Sequence, residues 1–174
     1  FRLKLIKKEK KDDYRLTELG KKLLKEEIKF EDVFRKIMLS EEDIKEYPYR
    51  TVLKILLKSD KFNFLQFLYG IYTLQDSNIN SIERSINIIN ELSKYNYNVL
   101  VAKKENRIKI LKTLNEKYGF NFTDEDLIMK TTIGNQFKYL GGHLSLFGDE
   151  IRYNLKEKII AVKNKEKLKR LLKK

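Results

Sequence analysis

Four neighbouring residues, Asn135, Gln136, Lys138 and Tyr139, carry polar groups that suit hydrogen bonding to nucleobases. Amide side chains both donate and accept hydrogen bonds, whereas a lysine ammonium only donates. Base pairs display matching donors and acceptors in the major groove of DNA. We therefore interpret these four residues as candidate base-reading side chains, provided that one structural element presents them together.

A helix over residues 133–147 is predicted to present them. Asn135, Lys138 and Ser145 fall on one side of this helix. The apolar residues on the other side recur at steps of four and three, which is the spacing of a single helix face: Ile133, Phe137, Leu140, Leu144 and Phe147. The pattern indicates a helix with one buried and one accessible side.

A β-hairpin is predicted to follow this helix, which ends at Gly148-Asp149. Residues 151–153 and 158–162 are β-rich, and residues 154–157 between them are typical of a turn. Basic and imidazole side chains here are candidate contacts to the DNA backbone: His143, Arg152, Lys156 and Lys158. A helix that packs on a two-stranded ribbon in any small α+β domain would give the same pattern.

The first 29 residues predict a strand, a basic turn, a second strand and a helix that begins after Thr17 as N-cap. The turn is rich in lysines that suit phosphate contacts and equally suit an ordinary solvated turn: Lys7, Lys8, Lys10 and Lys11. Because the chain begins with Phe1 inside a predicted strand, we expect further structure before it in a longer parent chain.

The middle of the chain is predicted to be helical throughout. Apolar spacing indicates helices near 30–38, 48–58, 64–74, 80–92 and 99–118, followed by a short helix that Thr123 caps. Asn80 to Glu83 resembles a capping box with Asn in place of Ser or Thr. Leu100, Ile108, Leu111 and Leu114 are expected on the buried side of the 99–118 helix.

The chain carries 38 basic and 25 acidic side chains, a formal net charge of +13, which favours a polyanionic partner. The charge is concentrated in residues 1–29, 99–122 and 156–174, whereas the segments between are slightly acidic. Nucleic acid and an anionic membrane surface are the leading candidates. An AT-rich genome that inflates lysine codons would also produce part of this charge as plain solvated surface.

The composition excludes several classes of protein. The chain has no cysteine and one histidine, which excludes a disulfide framework and a thiolate metal site and argues against zinc. No apolar run approaches the roughly 20 residues that a bilayer crossing needs. We expect a cytoplasmic protein that does not insert into a membrane.

Catalytic motifs are hard to find. The only acid-x-Lys triplets are residues 9–11, 27–29 and 43–45, and none has an evident partner acid on a neighbouring strand, as a metal-dependent nuclease requires. His143 is more simply a hydrogen-bonding or phosphate-contacting residue than a catalyst. Gly141 and Gly142 each cost a helix about 1 kcal/mol relative to Ala, and close approach of a neighbouring helix or of DNA would explain them equally.

Three stretches resemble the DNA-recognition region of type IIS restriction endonucleases of the AlwI-like and FokI-like kind. They are a hairpin that leads into YRLTELGKKLL at 14–24, YPYRTVLKILLKS at 47–59, and the helix and hairpin of 131–162. The resemblance implies winged-helix recognition subdomains that bind an asymmetric site, and a separate C-terminal PD-(D/E)xK domain that cuts outside it with Mg²⁺. These residues lack that domain, so no catalytic residue is carried over.

The sequence therefore predicts a mostly α fold with small β-hairpins, arranged as tandem winged-helix-like DNA-binding subdomains. We expect the end of a first unit with its connector at 1–76, a second unit at 77–162 and a basic linker helix at 163–174. The predicted function is sequence-specific recognition of double-stranded DNA, without a cofactor here, for a restriction endonuclease whose parent chain carries a Mg²⁺-dependent cleavage domain. The alternatives are a non-enzymatic winged-helix protein of transcription or replication initiation, and a helical scaffold whose basic surface meets protein or RNA.

Overall fold

The computed structural model describes residues 6–10, 13–39, 49–74 and 77–173, with side chains for 14–39, 49–74 and 77–173. The described part is mostly helical with small antiparallel sheets, as the sequence predicted. Its contacts divide the chain into unit 1, residues 1–50, and unit 2, residues 51–174. The division thus lies after residue 50, whereas the sequence analysis placed it after residue 76.

The described part of unit 1 contains a β-hairpin and two helices, apart from the first two residues of the next helix. The Thr17 hydroxyl accepts a hydrogen bond from the Gly20 amide at 3.1 Å, which confirms the predicted N-cap. The second helix buries Val33, Phe34 and Met38 on the face that its apolar spacing predicted. The elements in chain order are β1 (Ile6–Lys10), β2 (Asp13–Leu16), α1 (Glu18–Leu24) and α2 (Phe30–Leu39).

Unit 2 contains the remaining elements, with Tyr49 and Arg50 of its first helix falling in unit 1. A π-helical segment, Phe67–Ile71, continues directly from α4. The elements in chain order are α3 (Tyr49–Ser59), β3 (Lys61–Asn63), α4 (Phe64–Gln66), α5 (Ile79–Leu92), α6 (Tyr97–Ala102), α7 (Lys104–Tyr118), α8 (Asp124–Leu127), α9 (Thr132–Leu144), β4 (Ile151–Asn154), β5 (Ile159–Val162) and α10 (Lys165–Leu172).

A three-stranded antiparallel sheet in the order β3-β5-β4 joins distant parts of unit 2. Ile160 of β5 lies opposite Phe62 of β3 on one side and Tyr153 of β4 on the other. The β4–β5 hairpin was predicted, whereas β3 was not, because an alternating pattern cannot be recognised in only three residues. The sheet therefore ties the chain before α4 to the hairpin after α9.

Aromatic rings fill the core between α4, its π-helical continuation and α9. The Phe137 ring of α9 lies 5.3 Å from the Phe64 ring and 5.2 Å from the Phe67 ring, both at steep angles, and 6.1 Å from the Tyr153 ring. Edge-to-face contacts of this kind stabilise aromatic pairs beyond the area that they bury. Phe137 is therefore the residue through which α9 is anchored.

Two details of the predicted helices in the middle of unit 2 are wrong: the N-cap of one and the continuity of the other. Helix α5 begins at Ile79, and its N-cap is Asn78, whose side chain accepts from the Ser81 amide at 2.9 Å; Asn80 lies inside the helix. The predicted 99–118 helix is two helices that break at Lys103, where the backbone is extended. Of the residues predicted on the buried side, Leu100, Leu111 and Leu114 are buried, whereas Ile108 is exposed.

The C-terminal basic helix α10 is packed onto unit 2 and is not a free linker. Leu168 is fully buried. Lys165 forms an ion pair with Asp60 at 2.7 Å, and Lys167 forms one with Asp149 at 2.7 Å. The predicted linker is thus an integral part of the second unit, because an amphipathic helix next to a sheet buries its apolar stripe.

Candidate nucleic-acid interface

A short helix, a four-residue turn and a longer helix present the predicted base-reading residues. Thr123 and Asp126 form the capping box that opens α8, with the Asp126 carboxylate accepting from the Thr123 amide at 2.8 Å. The turn passes through Met129, whose φ of 63° is left-handed. A Cβ on Gly134 would lie 2.6 Å from the Met129 carbonyl oxygen, so glycine is required where α9 passes this turn.

One face of α9 is buried and the other is exposed, as predicted. Ile133, Phe137, Leu140 and Leu144 are buried, and Phe147 is buried just beyond the end of the helix. We call the exposed side the α9 face, which comprises Asn135, Lys138, Tyr139 and Gly142. It contains an amide, an ammonium group and a phenol that is 66% exposed. The Lys138 ammonium lies 3.5 Å from the side-chain amide oxygen of Asn135.

Gln136 and His143 lie at the flanks of α9, between its buried and exposed sides. Both are half-buried, so they are less accessible than the α9 face. Burial lowers the pKa of the His143 imidazole below its ordinary value. At neutral pH the ring is therefore uncharged and can offer a phosphate a hydrogen bond but no positive charge.

The two adjacent glycines of α9 have different surroundings. A Cβ on Gly141 would lie 2.4 Å from Cε2 of Tyr153, whereas a Cβ on Gly142 would meet no atom within 4 Å. Gly141 is thus explained by the ring of β4 that packs against it. The sequence analysis missed the role of Tyr153 in positioning α9, although Gly141 was the signal of a close neighbour. Gly142 has no such explanation within unit 2.

The β4–β5 turn, residues 155–158, has a defined backbone. The Asn154 side chain accepts from the Glu157 amide at 3.1 Å, and Lys158 has a left-handed φ of 55°. Lys156 is exposed in this turn. Lys158, in contrast, is half-buried, and its ammonium lies 5.8 Å from the centre of the Tyr97 ring. Of the two lysines predicted to contact DNA, Lys156 is therefore the more accessible, and Lys158 lies against a ring of unit 2.

Arg152 lies on the opposite face of the sheet from α9. Side chains of a strand alternate between faces. Tyr153 packs under α9 at Gly141, so Arg152, its neighbour in β4, points to the other side, where it is exposed. The structure therefore does not bring Arg152 together with the α9 face.

The predicted phosphate contacts near the start of the chain belong to unit 1. Lys7, Lys8 and Lys10 lie in β1, whose pairing with β2 shifts register between Lys8 and Lys10. Their side chains, and Lys11 as a whole, lie outside the described residues. The structure adds only the hairpin backbone to this prediction.

Ion pairs neutralise part of the basic blocks that the sequence analysis singled out. Arg107 makes a two-pronged contact with Asp124, at 2.5 and 3.0 Å, and donates to the Val101 carbonyl at 2.8 Å. This hydrogen-bonded guanidinium holds the pKa of the Asp124 carboxyl below its usual value. Lys117 pairs with Glu91. The charge available to a partner is therefore smaller than the sequence total.

Within the residues that the structure describes, no group of three or more His, Asp or Glu side chains is placed to hold a metal ion. Of the acid-x-Lys triplets, residues 27–29 lie in the connection between α1 and α2, not in a helix, and residues 43–45 lie outside the described part. No helix in that part combines the length and apolar character needed to span a bilayer.

No protein-family model, curated protein or solved structure matches this chain. The functional interpretation therefore depends on the residues and on their arrangement.

Proposed function

We propose that unit 2 binds double-stranded DNA, with the α9 face in the major groove and the β4–β5 turn on the backbone. The supporting observation is the helix-turn-helix of α8 and α9, which is followed by an antiparallel hairpin whose second strand, β5, also pairs with β3. In helix-turn-helix proteins a turn of about 3–4 residues joins the helices, and the second helix enters the major groove. In winged-helix domains a hairpin likewise follows the helix-turn-helix. The first strand of their sheet likewise pairs with the last strand.

The chemistry of the α9 face supports this proposal. The helix has no acidic residue, so it carries no charge that would be repelled by phosphates. Asn135 is suited to a two-pronged contact with adenine, and Lys138 is suited to guanine. The acidic residues of the preceding α8 are partly engaged, because Asp124 pairs with Arg107 and Asp126 closes the capping box.

The resemblance to type IIS restriction endonucleases supports a narrower proposal. In this proposal the described units recognise an asymmetric site on behalf of a Mg²⁺-dependent cleavage domain in the same parent chain. A non-enzymatic winged-helix regulator would use the same α9 face without such a domain. A PD-(D/E)xK pattern in the parent chain, together with site-specific cutting that requires Mg²⁺, would support the endonuclease, and the regulator would show neither.

Binding of selected duplexes tests the role of α9 as the reader. Selection from randomised duplexes first yields a preferred site, and the protein is then titrated against that site and a scrambled one. Asn135→Ala should weaken binding to the preferred site by about 1–3 kcal/mol and leave the scrambled duplex nearly unaffected, because a base contact is lost only where the base is right. Asn87, an exposed asparagine of α5, provides the matched control, Asn87→Ala.

Two results would refute the proposal. The first is a failure of the wild-type protein to prefer duplex DNA, or a binding constant that does not fall with salt. With about 5 phosphate contacts, log K should fall with log salt at a slope of roughly −4 to −5. The second is an unchanged ratio of preferred to scrambled binding in folded Asn135→Ala and Lys138→Ala variants.

A further inference from the structure

An apolar groove of unit 2 lies between α6, α7 and the segment that joins α5 to α6. It has a volume of about 400 Å³, within the range of about 300–1,000 Å³ that small-molecule sites occupy. Leu100 of α6 and Ile110 of α7 are 9% and 8% exposed, and they line it together with Val99, which is 66% exposed. We call it the α6–α7 groove. A ligand that occupies it would remove the exposed side of Val99 from water.

The charge that lines the α6–α7 groove is positive. Its charged side chains are Lys94 and Lys109, and none of the described residues that line it is acidic. Neither ammonium group has a salt bridge or hydrogen bond within the part of the chain that the structure describes. The carboxylate of Glu91 feels the charge of Lys94 but pairs with Lys117 instead. The groove therefore favours an anionic group in a ligand and disfavours a cationic one.

The α7 wall of the groove places an amide beside one of these ammonium groups. Asn106 and Lys109 both line the groove, and both are exposed. They are three residues apart in α7, so their side chains are neighbours on one helix face. An ammonium group and an amide both donate hydrogen bonds, which a carboxylate accepts at its two oxygens. Lys109 and Asn106 are therefore placed to hold one carboxylate at the edge of an apolar surface.

Hydrogen bonds within the fold fix the walls of the groove. The Asn96 side-chain oxygen accepts from the Asn98 and Val99 amides at 3.1 and 3.3 Å, which caps α6 and positions Val99. The hydroxyl of Thr113, which also lines the groove, donates to the Lys109 carbonyl at 3.1 Å. Binding would therefore require little ordering of these elements, which favours affinity.

We propose that the α6–α7 groove binds a small amphipathic anion, an aliphatic carboxylate. Lys109 and Asn106 hold its carboxylate, and its aliphatic chain lies against Val99, Leu100 and Ile110. The chain covers the apolar walls, and the carboxylate neutralises lysine charge that has no carboxylate partner within the groove. A phosphate ion would leave the apolar walls uncovered. The site shares no residue with the α9 face or the β4–β5 turn, so it does not depend on the proposed binding of DNA.

Titration of the isotope-labelled full chain, followed by amide NMR shifts, tests the groove with butanoate, hexanoate, octanoate and decanoate. The amides of the lining residues should shift together and saturate, with a dissociation constant of roughly 0.1–1 mM for decanoate. Each added methylene should tighten binding about two- to fourfold, because it buries further apolar surface. Octyltrimethylammonium has a similar chain and a cationic head group, so it should bind at least about tenfold more weakly than octanoate.

Two pairs of variants separate the groove from the general charge and apolar surface of the protein. Lys109→Gln should weaken octanoate binding about three- to tenfold. Lys112→Gln removes the same charge from α7 outside the groove, so it should leave binding nearly unchanged. Val99→Thr replaces a methyl group with a hydroxyl and should weaken binding about two- to fourfold. Ile108→Thr is its control, because Ile108 is 52% exposed but does not line the groove.

The proposal is overturned if decanoate at about 5 mM does not shift the lining amides, or if affinity does not rise with chain length. Binding of octyltrimethylammonium as tight as that of octanoate would also overturn it. So would Lys109→Gln and Val99→Thr variants that melt like wild type and bind octanoate as well as their controls. Sedimentation tests a different occupant: a dimer that Val99→Thr dissociates would show that a second copy of the chain covers the groove, which refutes the carboxylate site.

Discussion

Replacing each of the two adjacent glycines of α9 with alanine should have opposite effects on stability. At Gly141 the new Cβ would lie 2.4 to 2.6 Å from three ring carbons of Tyr153. Such overpacking costs about 1–3 kcal/mol, of which the helix propensity of alanine recovers up to about 1 kcal/mol. At Gly142 the Cβ meets nothing within 4 Å, so only the gain remains. Gly141→Ala should therefore destabilise the protein, and Gly142→Ala should stabilise it by up to about 1 kcal/mol.

Urea denaturation followed by circular dichroism measures both changes. A double-mutant cycle identifies the clashing atoms. Tyr153→Phe keeps the ring, so Gly141→Ala should remain costly in that background. Tyr153→Leu removes the ring, so most of the cost should disappear. If both glycine variants shift the free energy of unfolding in the same direction, or if the cost at Gly141 persists in Tyr153→Leu, the packing of α9 on β4 is not as described.

Gly142→Ala also tests the proposed DNA contact, because the same substitution is expected to change stability and duplex binding in opposite directions. If a duplex lies against the α9 face at Gly142, the added methyl group should weaken duplex binding while the protein becomes more stable. Undiminished duplex binding by Gly142→Ala would show that no DNA atom approaches this position closely.

The remaining predictions concern binding, packing and pH. Lys156→Ala should weaken binding to preferred and scrambled duplexes about equally, and it should reduce the slope of log K against log salt by about 1 in salt-dependent titrations. Weaker binding to the preferred site alone would contradict a phosphate contact. Phe137→Ala should lower the free energy of unfolding by about 3–5 kcal/mol in urea denaturation, because it opens a cavity under α9; a loss below about 1 kcal/mol would contradict this packing. Since burial lowers the folded-state pKa of His143, the unfolded state binds its proton first, and stability should fall as pH drops through and below its ordinary value of 6.5. His143→Gln should reduce that fall between pH 7 and 5, and an unchanged pH profile would show that burial does not affect this imidazole.

Local patterns in the sequence were sufficient for the elements that carry the proposed DNA interface. The spacing of Ile133, Phe137, Leu140 and Leu144 identified both faces of α9, because a helix repeats every 3.6 residues and needs no distant contact to define its sides. Thr17 and Thr123 were recognised as caps because capping groups lie within about three residues of one another. The β4–β5 hairpin followed for the same reason, since its strands are adjacent in the chain.

Tertiary structure decided what depends on residues far apart in the chain. The pairing of Phe62 with Ile160 and the packing of Tyr153 on Gly141 leave no periodic signal in the sequence. The amphipathic pattern of α10 indicates an apolar side, but it does not say which surface covers Leu168. The same is true of Lys158, which only the fold places over the Tyr97 ring, away from its neighbour Lys156. Composition counts such lysines as equivalent charges, whereas the surface to which each belongs is set by how strands, turns and helices pack against one another.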